Sequence, residues 1–157
     1  MASRRSAGFR AYRICKSLFP ILSGDGAGRY PGRWNSLGRP VVYASETFSG
    51  AMLEILVHAN IGRAPRDLRF ATITIPPGVA IDELTTSDVK DWTDVEATRR
   101  IGDAWHTKRR TAVLLVPSAV TRLERNVLIN PAHPDFVRIK ASKAQPVEWD
   151  PRLFHGR

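Results

Sequence analysis

The segment Val41–Ala59, VVYASETFSGAMLEILVHA, predicts the unit on which the fold is built, a short buried strand followed directly by a helix. Its first four residues are apolar, and Ser45 is a good N-cap for a helix over 46–59. Apolar residues in that helix recur at the helical period, while Leu53 and Val57 lie on the other side. We therefore expect a helix that is covered on both faces.

A carboxylate in this apolar helix requires an explanation. An unpaired charge in a protein interior costs on the order of several kcal/mol, so Glu54 must be hydrogen-bonded, paired or neutralised. His58, one helical turn later, is either its structural partner or the start of a metal site whose other ligands the sequence does not show. From the residues alone, a structural and a functional role for Glu54 both stay open.

Upstream of this unit, a strand is predicted over 9–14, followed by a loop over 19–40 that is rich in glycine and proline. Tyr30 inside the loop favours an ordered, ligand-facing segment, since disordered tracts seldom carry large aromatic residues. Arg33 follows Gly32, where the backbone can approach a ligand closely and a guanidinium can bind a phosphate with two hydrogen bonds. A solvated loop arginine is the alternative.

Downstream, alternation and turn signals predict further strands and one more helix. The strands are expected over 69–75, 111–116, 126–129 and 136–139, with a turn over 130–134, and Thr93 with Glu96 indicates a capping box for the helix. This mixture predicts an α+β fold with short mixed β-sheets and flanking helices. We expect one compact domain over 9–157, preceded by an N-terminal tail over 1–8.

The bulk composition limits the classes of function. A chain of 157 residues is a typical single domain, and no apolar run approaches the roughly 18 residues of a membrane span. The single cysteine cannot form an internal disulfide, which favours a cytoplasmic protein. The net charge of +9 permits nucleic-acid binding, but basic residues are spread over the chain without a DNA-binding motif, and an acidic ligand or partner explains the charge as well.

Two further side chains are candidates with plain structural alternatives. Tyr43 ends the apolar strand and is either a core tyrosine or a ligand-facing ring, and Ser118 follows a strand and Pro117, as a capping or turn residue does. The chain has no Gly-x-Ser-x-Gly motif and no phosphate loop ending in Gly-Lys-Ser/Thr. Serine-nucleophile and P-loop chemistry are therefore poorly supported.

Five segments in this order resemble the RES domain family, whose name refers to an arginine, a glutamate and a serine. The segments are GRYPGRWN at 28–35, VVYASE at 41–46, LEILVH at 53–58, VPSA at 116–119 and NPAHP at 130–134. The three name-giving residues would be Arg33, Glu54 and Ser118. The resemblance covers about residues 9 to 154 and implies a fold similar to that of ADP-ribosyltransferases, with NAD⁺ as a consumed substrate and no metal.

The resemblance also implies roles for individual residues, all expected in one cleft. Glu54 would stabilise the oxocarbenium-like ribose, Arg33 would anchor the pyrophosphate, and Tyr43 would stack on the nicotinamide. Ser118 would hydrogen-bond the ligand or orient Glu54. Tyr30 is a second stacking candidate and Asn130, with His133 beside it, is a further candidate for the cleft wall.

The partners implied by the resemblance are proteins. RES proteins are toxins that an Xre-like antitoxin restrains, and the antitoxin is expected to block the cleft. The favoured acceptor of ADP-ribose is a protein. Water or phosphate as the acceptor would instead make the chain an NAD⁺ glycohydrolase or phosphorylase. A non-enzymatic basic module that binds nucleic acid is the rival from another class.

Overall fold

The computed structural model describes residues 1–59, 62–91 and 93–154, which form a nine-stranded sheet with helices packed against it. In chain order the elements are β1 (Ala2–Arg5), β2 (Phe9–Lys16), α1 (Asp25–Arg29), β3 (Val42–Ser45), α2 (Phe48–His58), β4 (Leu68–Ile75), β5 (Ala80–Glu83), α3 (Val95–Lys108), β6 (Val113–Pro117), β7 (Arg125–Ile129), a 3₁₀ helix (Pro134–Arg138), β8 (Lys140–Ala141), β9 (Gln145–Pro146) and a second 3₁₀ helix (Pro151–Leu153). The α+β class predicted from the sequence is confirmed.

The sheet consists of two halves that meet at a narrow seam. The first half-sheet has the order β1-β5-β6-β7-β3, and the second half-sheet consists of β2 and β4 with the short strands β8 and β9 on β4. All strand pairs are antiparallel except β5 with β6. The two halves share one register pair, Tyr12 opposite Ser45. A short ladder of this kind lets the halves diverge and leaves space for a cleft.

A buried arginine supports the seam where ladder hydrogen bonds are missing. Arg13 on β2 is only 8% exposed, and its Nη1 donates to the Tyr43 carbonyl of β3 at 3.3 Å. Its Nη2 donates to the Ser23 carbonyl at 3.0 Å, in the loop before α1. The guanidinium therefore connects both half-sheets and the loop through backbone carbonyls.

Alternation along the central strands produces one hydrophobic cluster on each face of the sheet. Val127 and Ile129 belong to the larger cluster, while Leu128 between them packs with Trp34 and Trp105 on the other face. Successive residues of a strand point to opposite faces, so a strand buried on both sides is apolar throughout. The face with the two tryptophans is the face on which the cleft opens.

The strand and helix over residues 41–59 are confirmed, but two details are corrected. Helix α2 begins at Phe48, and its N-cap is Thr47, whose Oγ1 accepts a hydrogen bond from Gly50 N at 2.9 Å. Ser45 lies in β3 instead of capping the helix, because the strand continues through it. Leu53 and Val57 are 44% and 59% exposed, so the helix is covered on one face only.

Other boundaries also differ from the predicted ones. Residues 136–139 do not form a strand, since a 3₁₀ helix begins at Pro134, whose fixed φ suits a first helical turn. Helix α3 is capped by Asp94, which accepts from Glu96 N, and the Thr93 hydroxyl donates to Asp91 instead. Strand pairing extends into residues 1–8, since β1 pairs with β5. Among the described residues, no helix combines the length and the apolar character that a membrane span needs.

Candidate active site

A cleft of about 700 Å³ opens between α2, the loop before β3 and the ends of β6 and β7. Side chains from both half-sheets contribute to its wall. Polar or aromatic lining residues are Tyr12, Tyr30, Arg33, Trp34, Tyr43, Ser45, Glu54, His58, Arg99 and Asn126. Glu54 is the only carboxylate among the described lining residues. We call the part of the cleft around Glu54 the carboxylate end and the part around Arg33 and Arg99 the arginine end.

At the carboxylate end, two hydrogen bonds fix one oxygen of Glu54. Oε1 accepts from the Ser118 hydroxyl at 3.0 Å and from the Asn126 side-chain amide at 2.7 Å. Both donors come from regions distant in sequence, the end of β6 and the start of β7. Both bonds fall on the same oxygen, so Oε2 receives no hydrogen bond from the described residues. The carboxylate is held in place while one oxygen remains available to a ligand.

Ser118 is a buried support beneath the carboxylate. Its side chain is 2% exposed and is absent from the described cleft lining, although its neighbours Pro117 and Ala119 line it. The Ser118 oxygen accepts from the backbone N–H groups of Val120 and Thr121 at 3.2 and 3.1 Å. These bonds direct the hydroxyl proton to Glu54. Of the two roles expected for Ser118, the geometry fits orientation of Glu54.

Asn126 is a site residue that the sequence analysis missed. It entered the sequence analysis only as the first residue of the strand predicted over 126–129. Its Oδ1 accepts from the Ser45 hydroxyl at 3.1 Å, which fixes the amide so that its N–H₂ group faces Glu54. The one local signal is a polar residue directly before the apolar run Val127–Ile129 of the strand.

At the arginine end, two guanidinium groups donate hydrogen bonds to backbone carbonyls. Arg33 Nη1 donates to the Thr93 carbonyl at 3.0 Å, and Arg99 Nε donates to the Gly32 carbonyl at 2.8 Å. The Thr98 hydroxyl of α3 donates to the Arg33 carbonyl at 2.8 Å. Helix α3 therefore holds the loop and brings a second cation, Arg99, which was not among the candidates named from the sequence.

Tyr43 forms the wall between the two ends of the cleft. Its hydroxyl accepts from Trp34 N at 3.1 Å and donates to Asn35 Oδ1 at 2.8 Å. Burial raises the pKa of the Tyr43 phenol far above its ordinary value, so the group stays neutral. Gly32 is required beside it, because a Cβ there would lie 2.6 Å from the Tyr43 hydroxyl oxygen.

Asn35 organises the loop and is a second residue that the sequence analysis did not identify. It is fully buried, and its Oδ1 accepts from Gly32 N at 2.9 Å as well as from Tyr43. Its Nδ2 donates to the carbonyls of Ala27 and Arg39 at 2.7 and 3.1 Å. One amide thus replaces the regular hydrogen bonds that a glycine-rich segment lacks.

The remaining candidates divide into those at the rim and those outside the cleft. Tyr30 is 76% exposed at the rim, and His58 is an exposed lining residue on α2. Asn130 is fully buried, donates to the His106 carbonyl at 2.9 Å and accepts from Ala132 N, so the structure does not bring it to the cleft. His133 accepts from Asp135 N as the cap of the 3₁₀ helix.

A metal site that would include Glu54 and His58 finds no further ligands among the described residues. Within residues 1–59, 62–91 and 93–154, no group of three or more His, Cys, Asp or Glu side chains is arranged to hold a metal ion. The hydrogen bonds to Glu54 come from a hydroxyl and an amide instead. The arrangement suits a carboxylate that interacts with an organic ligand.

Comparison with known proteins identifies the family and the fold. The family model of the RES domain matches residues 10–150. A protein of Sphingobium sp. named "Prs ADP-ribosylating toxin" is 40% identical over 139 residues, which cover 85% of this chain and 86% of that protein. A protein of Photorhabdus laumondii named "Toxin Res" is 37% identical over 153 residues, covering 93% of this chain and 97% of that protein.

The fold also has a counterpart among solved structures. The crystal structure of the M. tuberculosis MbcT-MbcA toxin-antitoxin complex contains a chain that aligns with a TM-score of 0.75 and 20% sequence identity. The alignment covers 97% of this chain and 90% of the other. At this level of identity the likeness concerns the fold, which is therefore shared over nearly the entire length.

Proposed function

The chain belongs to the RES domain family, and from that premise we propose that it is the toxin of a toxin-antitoxin pair. This toxin would cleave the bond between nicotinamide and ribose in NAD⁺ and transfer ADP-ribose to a protein. It would act in the cytoplasm, where NAD⁺ is available. The observation that carries this proposal is the separation of charge in the cleft. One fixed carboxylate lies at one end, and two guanidinium groups lie at the other.

NAD⁺ matches this distribution of charge. Its pyrophosphate is anionic, and guanidinium groups recognise phosphate oxygens through paired N–H donors. Its nicotinamide ring is a flat cation that an aromatic face attracts by about 0.5 to 2 kcal/mol. Arg33 and Arg99 would therefore hold the pyrophosphate, and the ring of Tyr43 would lie beside the nicotinamide.

Glu54 would act on the ribose. When the bond between C1′ and the nicotinamide nitrogen breaks, its electron pair leaves with neutral nicotinamide and positive charge develops on the ribose, as in glycoside cleavage. The Glu54 carboxylate stabilises that charge, and its Oε2 can accept a hydrogen bond from a ribose hydroxyl. Ser118 and Asn126 hold Oε1, so little reorganisation is needed as the charge forms.

The second half of the reaction requires a nucleophile. A lone pair of the acceptor forms the new bond to C1′, and the acceptor releases the proton that it carried on that atom. The relative named "Prs ADP-ribosylating toxin" supports a protein acceptor. Transfer to water or phosphate is the alternative outcome of the same bond cleavage.

An antitoxin that covers the cleft fits this activity. A solved structure with the same fold is a toxin-antitoxin complex, and Leu53 and Val57 on α2 leave apolar surface exposed next to the cleft. We expect an Xre-like protein as the partner, encoded beside this chain. Its binding would prevent entry of NAD⁺.

The test is to incubate purified protein with NAD⁺ and to follow nicotinamide release with and without phosphate and with Prs as the candidate acceptor. We expect release of nicotinamide, with ³²P-labelled ADP-ribose appearing on the acceptor protein. Labelled free ADP-ribose or ADP-ribose 1″-phosphate alone would assign the chain to the hydrolase or phosphorylase alternative. Absence of nicotinamide release under all three conditions would contradict the proposal.

A further inference from the structure

The second half-sheet carries an unusual set of charges. Its four strands, FRAYRICK, LRFATITI, KA and QP, contain basic residues and no acidic residue. The basic residues are Arg10, Arg13, Lys16, Arg69 and Lys140. All except the buried Arg13 are exposed. This half-sheet therefore presents positive charge from strands, where side chains are held at fixed spacing.

Two of these residues form a row on the face of the sheet that carries α2. Arg10 is the register partner of Thr74, and Thr74 is the register partner of Lys140. Register partners project from the same face, and neighbouring strands lie about 4.8 Å apart, which puts the two basic side chains about 10 Å apart across Thr74. Thr74 itself is exposed, so none of the described parts of the chain covers the row at this point. We call Arg10 and Lys140, with Thr74 between them, the basic row.

The basic row lacks the ion pairs found on the first half-sheet. There, Arg125 pairs with Glu46 and Glu83, and Arg4 pairs with Glu83. Among the described residues, no carboxylate forms a salt bridge with Arg10 or Lys140. Positive side chains fixed on a sheet without carboxylate partners attract an external anion.

The position of the basic row relative to the cleft indicates which anion this is. Tyr12 lines the cleft and lies opposite Ser45, whose hydroxyl bonds Asn126, the donor to Glu54. Because β2 and β3 are antiparallel, Arg10 lies beyond Ser45 in the direction of Thr47, whereas Tyr43 lies in the opposite direction. The basic row therefore adjoins the carboxylate end of the cleft, two residues from its wall.

Resting on the proposed function, we propose that the basic row docks an acidic segment of the protein that accepts ADP-ribose. Bond cleavage exposes C1′ at Glu54, so the acceptor nucleophile must approach at the carboxylate end. A molecule that fills the cleft to exclude NAD⁺ would occupy the arginine end as well. The basic row lies outside the cleft, next to the carboxylate end. The acceptor must approach this end, whereas a molecule that blocks the cleft has no need to extend beyond it.

The test uses two double variants with the same change in net charge. R10E/K140E reverses the basic row, and K16E/R69E reverses two exposed basic residues of the same two long strands outside the row. Binding of a fluorescently labelled ten-residue glutamate peptide is measured by anisotropy at low salt. We expect R10E/K140E to weaken binding at least 10-fold and K16E/R69E to weaken it less than 3-fold, with both melting temperatures close to that of the parent.

Activity assays separate this inference from the proposed function. Nicotinamide release without acceptor should be unchanged in both variants, while labelling of proteins in host lysate with ³²P-NAD⁺ should drop at least 10-fold for R10E/K140E only. If the parent releases no nicotinamide, the proposed function fails, and the peptide measurement still decides the docking surface. Equal loss of peptide binding in both variants would overturn the inference. So would a ten-residue oligothymidylate that binds through the basic row at least 10-fold more tightly than the peptide.

Discussion

The two ends of the cleft are built by different means. At the carboxylate end, Glu54 lies on a helix, and its partners Ser118 and Asn126 lie at the ends of strands of the central sheet. At the arginine end, Arg33 lies on a loop that depends on the Asn35 amide and the Tyr43 hydroxyl for its shape. Regular elements fix the group that is proposed to act on developing charge, and a side-chain network shapes the segment that is proposed to recognise the ligand.

This difference predicts a division of mutational effects. Changes at the carboxylate end should reduce kcat, because they affect interactions that strengthen in the transition state. Changes at the arginine end should mainly raise KM, because they affect binding of the unreacting part of NAD⁺. Three substitutions, in order of decreasing expected effect, examine this division, and a measurement of stability against pH then examines how the loop is supported.

Replacing the carboxylate should have the largest effect. Glu54→Gln keeps the shape of the side chain and can keep an acceptor oxygen for Ser118 and Asn126, but it removes the negative charge. We expect kcat for nicotinamide release to fall by about 10³-fold or more, with a melting temperature within a few degrees of the parent. A variant that unfolds, or one that retains a tenth of the activity, would restore the structural interpretation of Glu54.

Removing the amide that holds Glu54 should reduce kcat less. Asn126→Ala leaves the carboxylate charged but deletes the 2.7 Å hydrogen bond, and displacement of a reacting group by about 1 Å can cost on the order of 100-fold. We expect a decrease of about 10- to 100-fold in kcat with little change in KM. Asn126→Asp is the matched comparison, since its carboxylate would repel Glu54 and should be worse than alanine. A selective rise in KM would place Asn126 with the binding residues.

A single methyl group should disturb the arginine end. In Gly32→Ala the new Cβ would lie 2.6 Å from the Tyr43 hydroxyl oxygen, so the loop must move. We expect KM for NAD⁺ to rise by about 10-fold, while kcat changes less. Gly26→Ala is the control, because the atoms nearest to its added Cβ are 3.8 Å away. Similar kinetic effects from both substitutions would mean that the close approach at Gly32 is unimportant.

The smallest expected effect is a loss of stability at low pH, through the contact of His106 with the loop over 19–40. His106 on α3 contacts the Pro40 carbonyl at 3.0 Å, and burial lowers the pKa of this histidine below its ordinary value of 6.5. As the pH falls, this histidine is therefore protonated at a higher pH in the unfolded chain than in the folded chain. The contribution of neutral His106 to the stability of the fold is lost as the pH falls below about 6.5.

The measurement is the melting temperature between pH 7.5 and pH 5 for the parent and for His106→Gln, which keeps an N–H donor but does not titrate there. The parent should lose more stability over this range than the variant. Identical pH profiles would show that His106 does not sense acid in the folded protein.

Much of the site could be predicted from local sequence. The alternation and helical periodicity of residues 41–59 determine a strand and a helix, and Glu54 stands out there because a charge in an apolar helix needs a partner. Glycine and proline determine that residues 19–40 lack long regular elements, although the five-residue helix α1 forms within them. These features depend on neighbours within a few residues.

Only the tertiary structure decided which groups meet. The two donors to Glu54 lie 64 and 72 residues away from it in the sequence. Strand register brings Asn126 to the cleft, whereas Asn130, four residues later, lies about 13 Å farther along the strand direction. Register is set by packing of the complete sheet, so no local pattern distinguishes these two asparagines. Local sequence determined the strand and helix over residues 41–59 and the chemical groups, and long-range strand pairing determined which of those groups form the site.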